Sequence, residues 1–137
     1  MIVVDTNVLS ELMKGTQARS ARVTSWLGEQ DKRPVTAVVC LAELLEGAHR
    51  LVPGRRREAL LAAIGEAVSL LAGVLPFNEP CAEAYAMVVA SRRTMGRPIS
   101  IPDAQIAAIA LVNGATLVTR NTKDFAGLGI TLVNPWD

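Results

Sequence analysis

Four acidic residues carry the chemistry that this sequence suggests: Asp5, Glu43, Asp103 and Asp124. Carboxylates gathered at one place repel, so such a cluster needs a cation or a proton to compensate. Ligands that are all oxygen favour Mg²⁺ or Mn²⁺ over zinc, copper or haem iron. A divalent ion held this way can activate water toward a phosphodiester and stabilise the leaving oxygen. Competing chemistries find no residues to work with. His49 is the only histidine, which excludes a two-histidine acid/base pair. Cys40 and Cys81 form no zinc site with one histidine and read as reduced, buried thiols. Neither GxxxxGK[ST] nor GxGxxG occurs. Small polar residues flank the acids. Thr6, Asn7, Thr119 and Asn121, with Ser100, either hold carboxylates and waters in place or only cap helices and form turns. Each acid has an ordinary alternative too: Asp5 and Asp124 as caps, Glu43 as a solvated helix residue, Asp103 as a partner of a helix dipole.

The acids form one site only if the chain brings them to one edge. Ile2 to Val4 reads as a short buried strand ending at Asp5, and Val8, Leu9, Leu12 and Met13 recur at helical spacing behind it. A second helix is expected from Arg19 to Gln30 and a strand at Pro34-Val35-Thr36. Thr36 is then expected to cap the helix that carries Glu43 and ends near His49. Further helices are expected over Arg55–Ala72, from Asn78 to a point before Gly96, and from Ser100 and Pro102 to Asn113-Gly114. Further strands are expected at Val74–Phe77, Thr116–Thr119 and Ile130–Val133, with a helical turn over Asp124–Leu128. Short apolar strands alternating with helices predict a three-layer α/β/α fold around a central, mostly parallel sheet, in a single domain over residues 1–137. Ligands of such sheets sit beyond the carboxyl ends of the strands. Asp5, Asp103 and Asp124 should emerge there, with Glu43 reaching in from its helix.

Composition sets the outer limits. Hydrophobic residues make up 50% of the 137, too many for a disordered segment and enough for one core. No apolar run approaches the ~20 residues of a membrane helix, and MIVVDTNVLSELMK lacks the basic start of a signal peptide, so a cytoplasmic protein is expected. The net charge is +1, but setting the four acids aside leaves nine acids against 14 basic residues, a balance of +5. The arginines are grouped, as Arg55, Arg56 and Arg57 and as Arg92, Arg93 and Arg97. They read as a polyanion-binding rim around the acidic site or as solvated helix ends. The stripes Val8, Leu9, Leu12 and Val23, Trp26, Leu27 read as core, with an exposed groove for a partner helix as the alternative.

The segments around the four acids resemble the PIN-domain ribonucleases, specifically the VapC-type toxins of bacterial toxin–antitoxin pairs. The matching stretches are Ile2-Val3-Val4-Asp5-Thr6-Asn7-Val8-Leu9-Ser10-Glu11-Leu12, Ala42-Glu43-Leu44 with Gly47, Pro102-Asp103-Ala104-Gln105-Ile106-Ala107-Ala108, and Leu117 to Phe125. The ending Leu132-Val133-Asn134-Pro135-Trp136 is similar as well. The resemblance implies an endoribonuclease dependent on Mg²⁺ or Mn²⁺. Asp5, Glu43 and Asp103 would be its three core acids and Asp124 the fourth, more variable one. It also implies a homodimer and a VapB-like antitoxin that blocks the site. Residues 50–95 match least. The alternatives are a Mg²⁺-dependent DNA nuclease and a non-catalytic PIN-like binding module. A signalling receiver domain would need an aspartate after the middle strand, where Asn78 stands.

Overall fold

The computed structural model describes the whole chain, Met1–Asp137. Five short strands alternate with six α-helices. The order is β1 (Ile2–Val4), α1 (Thr6–Leu12), α2 (Ala21–Gly28), β2 (Val35–Ala37), α3 (Val38–Arg50), α4 (Arg55–Ser69), β3 (Gly73–Leu75), α5 (Glu79–Thr94), α6 (Ile101–Val112), β4 (Thr116–Val118), a 3-10 turn (Thr122–Phe125) and β5 (Leu132–Val133). All pairings are parallel and the sheet order is β3-β2-β1-β4-β5. The fold is three-layered α/β/α, and its sheet is wholly parallel.

From β1 the chain steps outward through β2 to β3, then returns through α5 and α6 to β4 on the other side of β1. The direction of winding therefore reverses between β1 and β4, which is where parallel sheets open a crevice at their carboxyl ends. Val4 is in register with both Thr36 and Val118, so the residues after these three strands leave the sheet at one level.

Val3, Val4, Leu117 and Val118 are fully buried at the sheet's centre. α6 is buried along most of its length through Ala104, Ile106, Ala107, Ala108, Ile109 and Ala110, and its alanines let it lie close to the sheet and to α5. Asp5, Ser20, Asn78 and Ser100 each accept a hydrogen bond from a backbone amide three residues on and so cap α1, α2, α5 and α6.

Several boundaries differ from the sequence reading. Thr36 does not cap α3. It lies within β2, and its hydroxyl donates to the Val4 carbonyl at 2.7 Å, leaving Ala37 at the cap position without a side-chain bond. The turn expected at Asp124–Leu128 begins earlier, at Thr122. β3 begins one residue before the expected start, and α4 ends at Ser69. Val8, Leu9 and Val23 are buried in the core, while Leu12 borders a surface cavity beside Arg19 and Leu70, and Trp26 and Leu27 are half-buried.

Candidate active site

The four acids reach one place by four routes. Asp5 is the residue at which β1 becomes α1, and its amide donates to the Val118 carbonyl, which ties it to the end of β4. Glu43 lies on α3, the helix that leaves β2. Asp103 sits in the first turn of α6, where the Ser100 side chain accepts from its amide at 3.3 Å. Asp124 lies in the 3-10 turn beyond β4. All four line a single cavity of about 210 Å³, with Thr6, Asn7 and Asn121 as further polar walls and Ile106 and Phe125 as apolar ones.

Polar neighbours fix these side chains. The Asp5 carboxylate accepts from the Val8 amide at 3.2 Å and is only 6% exposed. The Thr6 hydroxyl donates to Glu43 Oε1 at 3.2 Å, joining the start of α1 to α3 across the cavity. Thr119 is fully buried and bonds Asp5, while its hydroxyl also accepts from the Asn121 amide at 3.0 Å. Thr6, Asn7, Thr119 and Asn121 are thus all in or against the cavity.

Burial holds the proton affinity of Asp5 above the usual carboxylate range, against the hydrogen bonds from Thr119, Val8 and Asn7, and the charge of Asp103 adds to the rise. Asp103 is raised by burial first and by Asp124 second, with Ser100 and Arg92 opposing. Glu43 is raised by burial and by both aspartates, against Thr6; it is the most open to water of the three, so its shift is the softest. Beneath them Cys40 is fully buried, its thiol pushed up to about 11, which leaves it an inert packing group.

No basic side chain pairs with these acids. The two salt bridges of the molecule lie elsewhere, at Lys14–Glu11 and Arg50–Glu46. The carboxylates are not drawn into a finished cage either, since no three of them are grouped as ligands of one ion. Repulsion keeps unpaired carboxylates apart, and Mg²⁺ retains several waters while taking only one or two carboxylates directly. An all-oxygen and partly desolvated donor set without an ion-pair partner is compatible in its chemistry with a hydrated, hard divalent ion.

The arginine clusters behave differently from the expected rim. Arg55, Arg56, Arg93 and Arg97 are exposed. Arg57 is half-buried and spends its guanidinium on the carbonyls of His49 and Leu51, closing the end of α3. Arg92 is a correction: it is 4% exposed and cannot meet an RNA, because its donors go to the carbonyls of Arg97 and Asp124. Its place was legible, since Cys81, Tyr85, Val88 and Arg92 follow one another at helical spacing on a single stripe of α5. Arg120 drew no attention in the sequence, yet it stands between Thr119 and Asn121 with its guanidinium 4.7 Å from the centre of the Trp136 ring.

A family model described as the PIN domain matches residues 2–129. The chain is 36% identical over 140 residues to the VapC ribonuclease Y4jK of Sinorhizobium fredii, a match covering 100% of this chain and 99% of that protein. It is 34% identical over 139 residues to the toxin FitB of Neisseria gonorrhoeae, covering 99% of both. The solved structure of FitAB bound to an IR36 DNA fragment superposes with a TM-score of 0.86 at 31% identity, over 100% of this chain and 96% of that one.

Proposed function

This chain belongs to the PIN-domain family, in its VapC-type branch of toxin ribonucleases, and from that premise we propose that it hydrolyses RNA phosphodiester bonds with Mg²⁺ or Mn²⁺ held by Asp5, Glu43, Asp103 and Asp124. One observation carries the reading: four carboxylates from four separate elements line one cavity at the sheet's carboxyl edge, and no cationic side chain forms an ion pair with them.

A bound divalent ion would supply charge neutralisation and a more acidic water. The chain's own groups do the rest. Asp5 and Asp103, partly desolvated and close to other carboxylates, are the acids that gain most from a bound cation. Thr6 orients Glu43, and Thr119 with the Val8 amide fixes Asp5. Ile106 and Phe125 exclude water from one wall, which strengthens every charge interaction inside.

The toxin works with a VapB-like antitoxin as partner, a pairing supported by the likeness to FitB within FitAB. The uncompensated acids give that partner a target, since an arginine or lysine could occupy the place of the metal. No helix here is long and apolar enough to cross a membrane, and we take the protein to act in the cytoplasm, as a homodimer.

Purified chain incubated with RNA or DNA, with Mg²⁺, Mn²⁺ or chelator, tests the reading. RNA should be cut only with metal, and Asp5→Asn or Asp103→Asn should abolish the cutting. Metal-independent cleavage, or cleavage of DNA alone, would overturn it.

A further inference from the structure

Arg92 is the only arginine or lysine in the chain that is buried. A buried cation is costly unless its donors are satisfied, and an apolar residue would continue the Cys81, Tyr85, Val88 stripe at no such cost. Arg92 has no carboxylate partner. Its Nε donates to the Arg97 carbonyl at 2.8 Å and its Nη1 to the Asp124 carbonyl at 2.6 Å. Arg97, five residues on, sends Nη2 to the Lys123 carbonyl at 3.3 Å. Two successive carbonyls of the 3-10 turn are therefore gripped, one from the last turn of α5 and one from the α5–α6 connection. That turn otherwise holds itself through few bonds, among them Asp124 N to the Asn121 carbonyl at 3.0 Å. The same connection leads through Ser100 into Asp103, so one clamp joins the two segments that carry the third and fourth acids.

We propose that Arg92, assisted by Arg97, is a positioning residue that sets the place of the Asp124 carboxylate in the acidic cavity, so that divalent-metal affinity depends on it although it touches no metal. The proposal rests on the metal-dependent reading above. Its sign separates it from plain electrostatics. Arg92 brings a positive charge to the Asp124 backbone, so deleting it as a mere charge would tighten cation binding. Deleting it as a clamp releases Asp124 and weakens binding.

Mn²⁺ binding to the full-length chain, followed by titration calorimetry and by paramagnetic resonance of free Mn²⁺, decides between them. Arg92→Gln should bind about tenfold more weakly, the lower end of what orienting residues behind a metal ligand contribute. Arg92→Lys keeps the charge but cannot span two carbonyls, and should lose nearly as much. Arg97→Ala, which removes one long exposed bond, should lose about twofold. Arg92→Gln placed in an Asp124→Asn background should cost nothing beyond Asp124→Asn alone, because both act through one carboxylate.

Unchanged or tighter binding by Arg92→Gln, or losses that multiply with Asp124→Asn, would overturn the clamp while leaving the metal reading intact. No uptake of Mn²⁺ by the unaltered chain would overturn both. If Arg92→Gln does not fold, Arg97→Ala alone and with Asp124→Asn decides by the same rule.

Discussion

Asp5 performs two tasks with one side chain: it caps α1 by accepting from the Val8 amide, and it forms the floor of the acidic cavity. The tasks separate by substitution. Asp5→Asn keeps an oxygen acceptor, so α1 should stay capped, but an amide binds a divalent ion poorly and accepts no proton from water. Asp5→Ala removes both functions and should cost about 1 kcal/mol of stability more than Asn. Equal melting of the two variants in chelator would show that the cap bond contributes nothing. The charge itself is readable through pH. Asp5, Glu43 and Asp103 hold protons more tightly folded than unfolded, so their stabilising contribution is complete below the ordinary values of 3.8 and 4.5. It is lost as pH rises through the raised folded values. Glu11, lowered by Lys14, runs the opposite way and loses its contribution as pH falls, so a difference between variants is the clean measure. In chelator, Asp103→Asn and the unaltered chain should melt close together near pH 4, and the variant should melt higher at pH 7. Adding Mg²⁺ at pH 7 should reverse that order. A variant that melts lower at pH 7 without metal would mean that Asp103 is needed for folding.

At the scale of elements, the site depends on where α6 sits. Its buried face is built from alanines, and Ala107 is completely enclosed. Ala107→Leu should destabilise the chain by about 1–3 kcal/mol through overpacking. By lifting α6 it should also displace Asp103, so turnover should fall more than RNA affinity does; a stability loss with normal turnover would show that α6 tolerates the shift. The alternation of strands and helices, and with it the edge where the acids meet, was legible because short apolar runs give way to helical stripes, with Asp5 and Asn78 as caps behind two of them. Asp5, Asp103 and Asp124 could be assigned to that edge for this reason. What was not legible were features set by neighbours distant in sequence. Thr36 looks like a cap, but parallel pairing with Val4 draws it into β2, and its hydroxyl finds the Val4 carbonyl instead. The 3-10 turn is held at the carbonyls of Asp124 and Lys123 by Arg92 and Arg97, bonds that span 32 and 26 residues. Arginines in the last turn of a helix suggest solvent, and only the stripe through Cys81 and Val88 points the first of them inward.

Taken whole, the molecule is nearly neutral by count while its charge is divided. The four cavity acids balance a surface that is otherwise basic by five. On the proposed function, an RNA approaching this surface would meet attraction, and the cavity would accept its phosphate once cations were bound. Of the six arginines grouped in the sequence, Arg55 and Arg56 at the start of α4, Arg93 at the end of α5 and Arg97 just beyond it remain open to solvent. Neither Arg55 nor Arg56 is engaged in an ion pair, so their charge is available to a polyanion at no cost to internal structure. Their replacement by Ala should leave melting nearly unchanged and weaken RNA binding more at low salt than at high salt. Every phosphate that the variant no longer neutralises should flatten the slope of log affinity against log salt by about 0.7 for a single strand. Arg92→Gln is the contrasting case: buried, it releases no counterion, so its salt slope should match that of the unaltered chain even where cleavage is slow. Binding of RNA to the Asp5→Asn chain, which holds substrate without cutting it, measured between about 50 and 200 mM salt, gives both slopes. If the Arg55→Ala, Arg56→Ala pair leaves the slope untouched, those side chains are only the solvated start of a helix, and the attraction comes from Arg93, Arg97 and the neighbourhood of Arg120.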